Sequence, residues 1–81
     1  SRPSPSEIMP KLPVVSGQEL VRALERLGFV KVGQRGSHAK LRRDTIRCVV
    51  PLHRELKRGT LTGILADAGV SIDDFRKALT H

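Results

Sequence analysis

The residues best suited to chemistry lie around His38. His38 and the Ser37 before it follow Gly36 in a turn, and Lys40 and Arg42 come at the next alternate positions. Side chains two apart on a strand share a face, so the sequence predicts an exposed imidazole beside two cations. An imidazole can take the proton of a ribose 2′-hydroxyl near neutral pH, while cations bind the phosphate. We interpret His38 as the general acid or base of a metal-independent ribonuclease and Ser37 as a possible supporting residue. The alternative is a surface histidine without a role.

A second group of candidates follows the predicted strands. His53 lies in a polar loop, where a structural hydrogen bond and a role in phosphate contact or acid catalysis fit about equally well. Lys57 and Arg58 precede Thr60, which we expect to be the N-cap of a helix. Two cations next to the free amide groups of a helix start would form an anion site.

Other chemistries have little support in the sequence. It contains no Gly-rich phosphate loop, no HExxH motif and no CxxC motif. Asp67, Asp73 and Asp74 are explained as helix caps or surface groups, which speaks against a two-carboxylate metal nuclease. Cys48 lies within a strand and is interpreted as a small core residue. We therefore expect neither a bound metal nor a small-molecule cofactor.

The positive charge is concentrated in one stretch. The 81 residues carry 15 Lys and Arg against 8 Asp and Glu, a net charge of +7. Residues 31–58 hold nine of the basic residues and two of the acidic ones, so this stretch accounts for the whole net charge. Segregated positive charge favours a polyanionic partner over a merely solvated face. The candidate RNA-binding side chains are Lys31, Arg35, Lys40, Arg42, Arg47, Lys57 and Arg58.

Composition narrows the remaining classes. The sequence has neither an apolar run of about 18 residues nor an apolar leader, so we expect a cytoplasmic protein without a membrane partner. It has no Trp or Tyr and only two Phe, and therefore lacks the platforms on which single-strand binders stack bases.

Periodicity and turn residues predict the elements that must position these side chains. Helices are expected at about Gly17–Leu27, after a Ser16 capping box, at Thr60–Ala68 and over the short stretch 72–79. Strands are expected at about Phe29–Gln34, His38–Arg42 and Ile46–Pro51, joined as a meander. This order predicts an α+β fold in which a three-stranded antiparallel sheet carries the helices on one face.

The two ends of the chain differ in character. Residues 1–11 are rich in Pro and Ser and show no hydrophobic period, so we expect a disordered lead or an expression remnant. Residues 12–81 are expected to form a single domain.

Several short motifs also follow one another in a recognisable order. They are Ser16-Gly17-Gln18-Glu19-Leu20, Leu27-Gly28-Phe29, Gly36-Ser37-His38, Val49-Val50-Pro51-Leu52-His53, Leu56-Lys57-Arg58-Gly59-Thr60-Leu61 and Ala68-Gly69-Val70-Ser71. Their order and spacing resemble the HicA (YcfA-like) toxins from Met9 to about Leu79.

The resemblance implies a fold, an activity and a partner. The fold would be the α-β-β-β-α arrangement of a double-stranded-RNA-binding domain, with a short extra C-terminal helix. The activity would be that of an mRNA interferase, the toxin of a type II toxin–antitoxin system, in which the Gly-Ser-His histidine, here His38, is catalytic without a metal. His53 corresponds to the histidine of the Pro-x-His motif. The implied partners are mRNA and a HicB-type antitoxin that covers the active face.

Two other functions stay open on the residues alone. A non-catalytic RNA-binding module would use the same basic face, since one histidine is a minimal catalytic apparatus. A protein-interaction domain is disfavoured because the positive charge is segregated.

Overall fold

A computed structural model describes residues 12–80 of the chain. Helix α1 spans Gly17–Arg26, strands β1, β2 and β3 span Val30–Arg35, His38–Arg43 and Ile46–Pro51, and helices α2 and α3 span Arg58–Ala68 and Ile72–Leu79. This order confirms the predicted α+β fold. The disordered lead predicted for residues 1–11 lies outside the described residues.

The three strands form one antiparallel sheet in chain order. The β1–β2 turn contains Gly36 at φ 58°, and the β2–β3 turn contains Asp44 at φ 54°. Both residues are left-handed, a conformation that glycine adopts freely and aspartate tolerates better than most residues. These tight turns place His38 between Arg35 on β1 and Pro51 on β3. The predicted meander is therefore confirmed.

Strand β1 contains a bulge between Lys31 and Gly33. Lys31 lies opposite Leu41 and Gly33 lies opposite Lys40, so Val32 is an extra residue on β1. A bulge interrupts the alternation of side chains along a strand. Here it leaves Val32 and Gly33 on the face of Lys40, whereas Lys31 shares the face of the buried Leu41.

The helices cover one face of the sheet. Ala39 and Leu41 of β2 and Cys48 and Val50 of β3 are buried on this face and join one core with the apolar side chains of α1 and α2. Burial raises the pKa of the Cys48 thiol, and the nearby Asp67 carboxylate raises it further. Cys48 is thus a protonated core residue, as predicted. Within residues 12–80, nothing covers the opposite face.

All three helices start with the same hydrophobic arrangement. One buried or half-buried side chain precedes the N-cap and a buried one occupies the fourth helical position, in the pairs Val15 and Leu20, Leu56 and Leu61, and Val70 and Phe75. This spacing is that of a hydrophobic staple, which fixes the direction in which the chain enters a helix. Serine side chains also cap α1 and α3, as predicted, by accepting hydrogen bonds from the amides of Glu19 and Asp74.

The start of α2 differs from the prediction. We expected Thr60 as the N-cap, but Lys57 occupies that position and makes no side-chain capping bond. Leu56 and Leu61 account for the difference, because both are buried and their spacing is that of a hydrophobic staple around an N-cap at Lys57. Thr60 is therefore the third residue of the helix.

Helix α3 completes the core and packs mainly on α1. Phe75 is fully buried, and the Arg26 guanidinium donates a hydrogen bond of 2.7 Å to the Ala78 carbonyl. None of the helices in residues 12–80 has the length and apolar character that crossing a membrane requires.

Candidate functional site

His38 and His53 lie next to each other at one end of the β2–β3 hairpin. Their ring centroids are 6.5 Å apart and the rings are inclined at 71°. His38 begins β2 opposite Pro51, the last residue of β3, and His53 follows in the next loop. Both histidines are exposed, as predicted for His38. The structure thus brings together the two histidines that the sequence singled out.

Backbone hydrogen bonds hold the loop that carries His53. The Leu52 amide donates to the Ser37 carbonyl at 2.6 Å, which ties the loop to the turn that precedes His38. The Gly17 amide donates to the His53 carbonyl at 2.9 Å. The hairpin and the start of α1 therefore fix the backbone of His53 from two sides.

Helix α1 approaches this loop so closely that Gly17 has no space for a side chain. A Cβ at Gly17 would lie 2.7 Å from the Cα of Leu52 and closer still to the Pro51 carbonyl oxygen. Further along, the Leu56 amide donates to the Val15 carbonyl at 2.8 Å and closes the loop against the residues before α1. The close contact between α1 and the loop thus requires a glycine at position 17.

The two histidines border a pocket of about 340 Å³. Its remaining lining residues come from the end of β3, the following loop and the first turn of α2, namely Pro51, Glu55, Leu56, Lys57 and Thr60. The pocket is large enough to admit a phosphate together with part of a ribose. A ligand bound in this concave site would lie within reach of both histidines.

The start of α2 makes one end of the pocket attractive to anions. Lys57 and Thr60 line the pocket, and α2 has neither a side-chain cap nor an acidic residue in its first turn. The amide groups of a helix N-terminus carry partial positive charge, to which Lys57 adds a full one. Glu55 is the one carboxylate among the lining residues. A phosphate group fits the end formed by Lys57 and the helix start.

The arrangement suits proton transfer at a phosphate ester. One imidazole in its neutral form can accept a proton while the other, protonated, donates one. Among residues 12–80 there is no group of three or more His, Cys, Asp or Glu side chains that could hold a metal ion. The described residues therefore offer acid and base groups rather than a set of metal ligands.

The sequence predicted some of the residues that line this pocket but not all of them. Lys57 was among the predicted RNA-binding residues and lines the pocket, whereas Ser37 and the exposed Arg58 do not. Thr60 was interpreted only as a cap, and Glu55 was not singled out. A loop has no side-chain periodicity, so the sequence carries no signal for which loop residues face the pocket.

Four of the predicted RNA-binding residues lie on the open face of the sheet, the face without helices. Arg35 is directly opposite His38, and Arg42 is directly opposite Arg47. Lys40 lies between these two rows on β2. The open face therefore continues from the histidine pocket as a basic surface.

Two further basic residues of the sheet, Lys31 on β1 and Arg43 at the end of β2, have other surroundings. Lys31 lies on the helix side of the sheet, where its ammonium donates to the Gln34 side chain at 2.6 Å. Arg43 stacks on the Phe29 ring, 4.6 Å from its centroid, and donates to the Leu27 carbonyl at 2.7 Å. Lys31 is thus separated from the open face, and Arg43 stabilises the fold.

Comparison with known proteins places the chain in a family. No curated protein matches its sequence. A family model described as the HicA toxin of bacterial toxin–antitoxin systems matches residues 17–70, more than half of the chain. The matched stretch runs from α1 through the sheet and both histidines to the end of α2. The chain therefore belongs to the HicA toxin family of bacterial toxin–antitoxin systems.

Proposed function

We propose that this toxin is an endoribonuclease that cleaves mRNA by transesterification without a metal ion. The observation that carries the proposal is the pair His38 and His53, 6.5 Å apart at a pocket that also contains Lys57 and the start of α2. Membership of the family gives the protein a toxin role and an antitoxin partner. Its mRNA substrate places the activity in the cytoplasm.

The reaction uses the two histidines in opposite protonation states. Neutral His38 takes the proton of the 2′-hydroxyl, and the 2′-oxygen attacks the adjacent phosphorus. The bond between phosphorus and the 5′-oxygen breaks, and protonated His53 donates its proton to that oxygen. One product ends in a 2′,3′-cyclic phosphate and the other begins with a 5′-hydroxyl. Lys57 and the first amides of α2 stabilise the charge that develops on the phosphate oxygens.

Cleavage of a labelled RNA in the presence of EDTA tests this assignment. His38→Ala and His53→Ala should each lower the cleavage rate by about 10²–10⁴-fold, because each removes a group that transfers a proton. RNA affinity and thermal stability should change little, since both side chains are exposed. Thr45→Ala, at the exposed turn on the other end of the hairpin, is the control and should cleave like the wild type.

The substrate provides a second arm of the same experiment. An oligonucleotide with 2′-deoxyribose at the cleaved nucleotide lacks the attacking hydroxyl and should be bound but left intact. Full cleavage of this substrate, or full cleavage of RNA by His38→Ala, would rule out the mechanism.

A non-catalytic RNA-binding module is the second candidate function. The observation in its favour is the basic open face with Arg35, Lys40, Arg42 and Arg47, which can bind phosphates whatever the histidines do. Salt-sensitive binding of RNA without cleavage, equal in the wild type and in His38→Ala, would establish this function instead.

The antitoxin partner is proposed to be of the HicB type and to cover the pocket that contains His38 and His53. A toxin whose pocket is covered should be inactive in the complex. The purified complex should therefore leave RNA intact until the antitoxin is removed. A stable complex that still cleaves RNA would contradict this arrangement.

A further inference from the structure

A second concave surface lies on the open face of the sheet, beside the histidine pocket. It is a groove of about 280 Å³ between Val32 of β1 and Val49 of β3. The side chains of Leu41 and Cys48 point into the core, so the strand backbone at these residues forms the floor of the groove. Val32 is 55% exposed and Val49 is 47% exposed. Two valines this exposed on one sheet face indicate an apolar contact that residues 12–80 do not make.

Gly33 lies beside this groove, next to Val32 on β1 and opposite Lys40 on β2. It shares a row with Lys40 and Val49, and a Cβ at Gly33 would meet nothing within 4 Å. The bulge puts Val32 on the same face as this row, so a side-chain-sized opening lies above the sheet between the two valines.

Cations surround the groove. Lys40, Arg42 and Arg47 line it, and no acidic side chain of the described residues does. Arg42 and Arg47 are directly opposite each other, an arrangement of like charges that destabilises a strand pair. In the described part of the chain, the only side-chain ion pair joins Lys77 to Asp73 on α3. The groove thus combines apolar walls with positive charge that has no partner within residues 12–80.

A strand of RNA has the chemistry that matches both properties. Its phosphates pair with the cations, and the flat face of a base can pack against valine side chains and a guanidinium plane. Lys40 follows His38 by two positions on the same face of β2, which is about 7 Å along a strand and within the span of one nucleotide. A phosphate bound at the histidines would therefore bring a neighbouring base to the groove.

We propose that the groove is a base-binding subsite that holds the nucleobase adjacent to the cleaved phosphodiester and sets the sequence preference of cleavage. The proposal rests on the proposed ribonuclease function for the position of the cleaved bond. Val32 and Val49 contact the base, and Lys40, Arg42 and Arg47 bind the flanking phosphates.

Gly33→Leu tests the subsite because it adds a side chain beside the groove, on the face of Lys40 and Val49, without removing a charge or altering the histidine pocket. Gly33 is outside the left-handed region, so a side chain there causes no backbone strain. Gln34→Leu is the control on the other face, since it puts the same side chain at the next position of β1, opposite Ala39; it also removes the side-chain hydrogen bonds of Gln34 to Lys31 and to the Gly36 carbonyl. Thermal denaturation should show both variants folded.

The substrates are RNA oligonucleotides in which the base on either side of the cleaved bond is removed in turn. In the wild type and in Gln34→Leu, loss of one of these two bases should lower kcat/KM by about tenfold. In Gly33→Leu, loss of the same base should have little further effect, because the leucine side chain competes with the base for the space beside Val32 and Lys40. Equal base dependence in all three proteins would overturn the proposal. Val49→Ser, which weakens the apolar wall without filling the groove, should reduce the base dependence without abolishing it.

Binding measurements separate failure of the subsite from failure of the ribonuclease function. The same oligonucleotides with 2′-O-methyl riboses cannot be cleaved, and their affinity should show the same loss on base removal in the wild type but not in Gly33→Leu. Base-dependent binding without cleavage of RNA would support the subsite and contradict the ribonuclease function. If Gly33→Leu instead loses antitoxin binding and keeps base-dependent RNA binding, the groove is a protein contact and the proposal is wrong.

Discussion

Replacing Gly17 with alanine tests whether α1 holds the His53 loop in its working position. The new Cβ would lie 2.7 Å from the Cα of Leu52 and 2.9 Å from the carbonyl carbon of Pro51. Real Cβ atoms essentially never come within 3.0 Å of a heavy atom from a residue that is not their chain neighbour, and these two are backbone atoms that cannot rotate away. The helix and the loop must therefore separate by about 1 Å, which is an overpacking of the kind that strains a folded backbone.

The size of the effect follows from this displacement. Overpacking of a well-packed site costs about 1–3 kcal/mol, and each kcal/mol lowers the melting temperature of a domain this small by about 4–8 °C. The same movement stretches the 2.9 Å hydrogen bond from Gly17 to the His53 carbonyl and shifts His53 relative to His38. A displacement of about 1 Å in a catalytic group can cost about 100-fold in rate. We expect both losses in Gly17→Ala.

Urea denaturation followed by circular dichroism measures the first loss, since the chain has no Trp or Tyr to report by fluorescence. RNA cleavage under conditions in which the variant is folded measures the second. Gly63→Ala is the control, because it lies within α2 with nothing within 4 Å of its Cβ. It should gain about 0.5–1 kcal/mol and keep full activity. Wild-type stability and cleavage in Gly17→Ala would refute the reasoning, and lost stability with full cleavage would refute the positioning of His53.

Two further substitutions and one chemical modification have defined outcomes. Ser16→Ala removes the hydroxyl that caps α1, so urea denaturation should show a free energy of unfolding lower by about 1 kcal/mol. An unchanged free energy of unfolding would contradict the capping box. Lys57→Ala combined with Arg58→Ala should weaken RNA binding. The double variant should also reduce the slope of log affinity against log salt by about 0.7 for each phosphate that is no longer neutralised. Anisotropy titrations that give the wild-type slope would exclude both cations from the RNA interface. The raised pKa of Cys48 lowers the fraction of thiolate at a given pH, so the thiol should react slowly with a disulfide reagent in the native protein and rapidly in urea. The pH at which the reaction becomes fast should also be higher for the native state than for the unfolded one. Equal rates in the two states would show that Cys48 is accessible.

The sequence predicted those parts of the fold that local signals determine. The Ser16 capping box begins α1, and Gly69, at φ 68°, ends α2 where it was expected. The alternation of Ala39 and Leu41 with exposed residues predicted the correct inner face of β2. Each of these features depends on residues within a few positions of one another, which is the range over which sequence patterns are informative.

Features that depend on distant contacts were not predictable in the same way. The true start of α2 follows from the burial of Leu56 and Leu61, which only the completed core requires. The meeting of His38 with His53 depends on a loop that is tied to Gly17, far away along the chain. The bulge at Val32 separates Lys31 from the open face. The neighbouring Gly33 is the one local feature of the sequence that indicates it.

Helix α3 has a consequence for when the toxin can fold during its synthesis. Its Phe75 is the largest fully buried side chain of the described chain, and it lies beyond the residues 17–70 that define the family match. A core without this side chain would be less stable by about 3–5 kcal/mol, a large part of the total stability of a small domain. Both histidines and the basic open face leave the ribosome before Phe75 does. We therefore expect the nascent chain to stay unfolded until α3 has left the ribosome, so that the two histidines and the basic open face emerge before the fold that positions them.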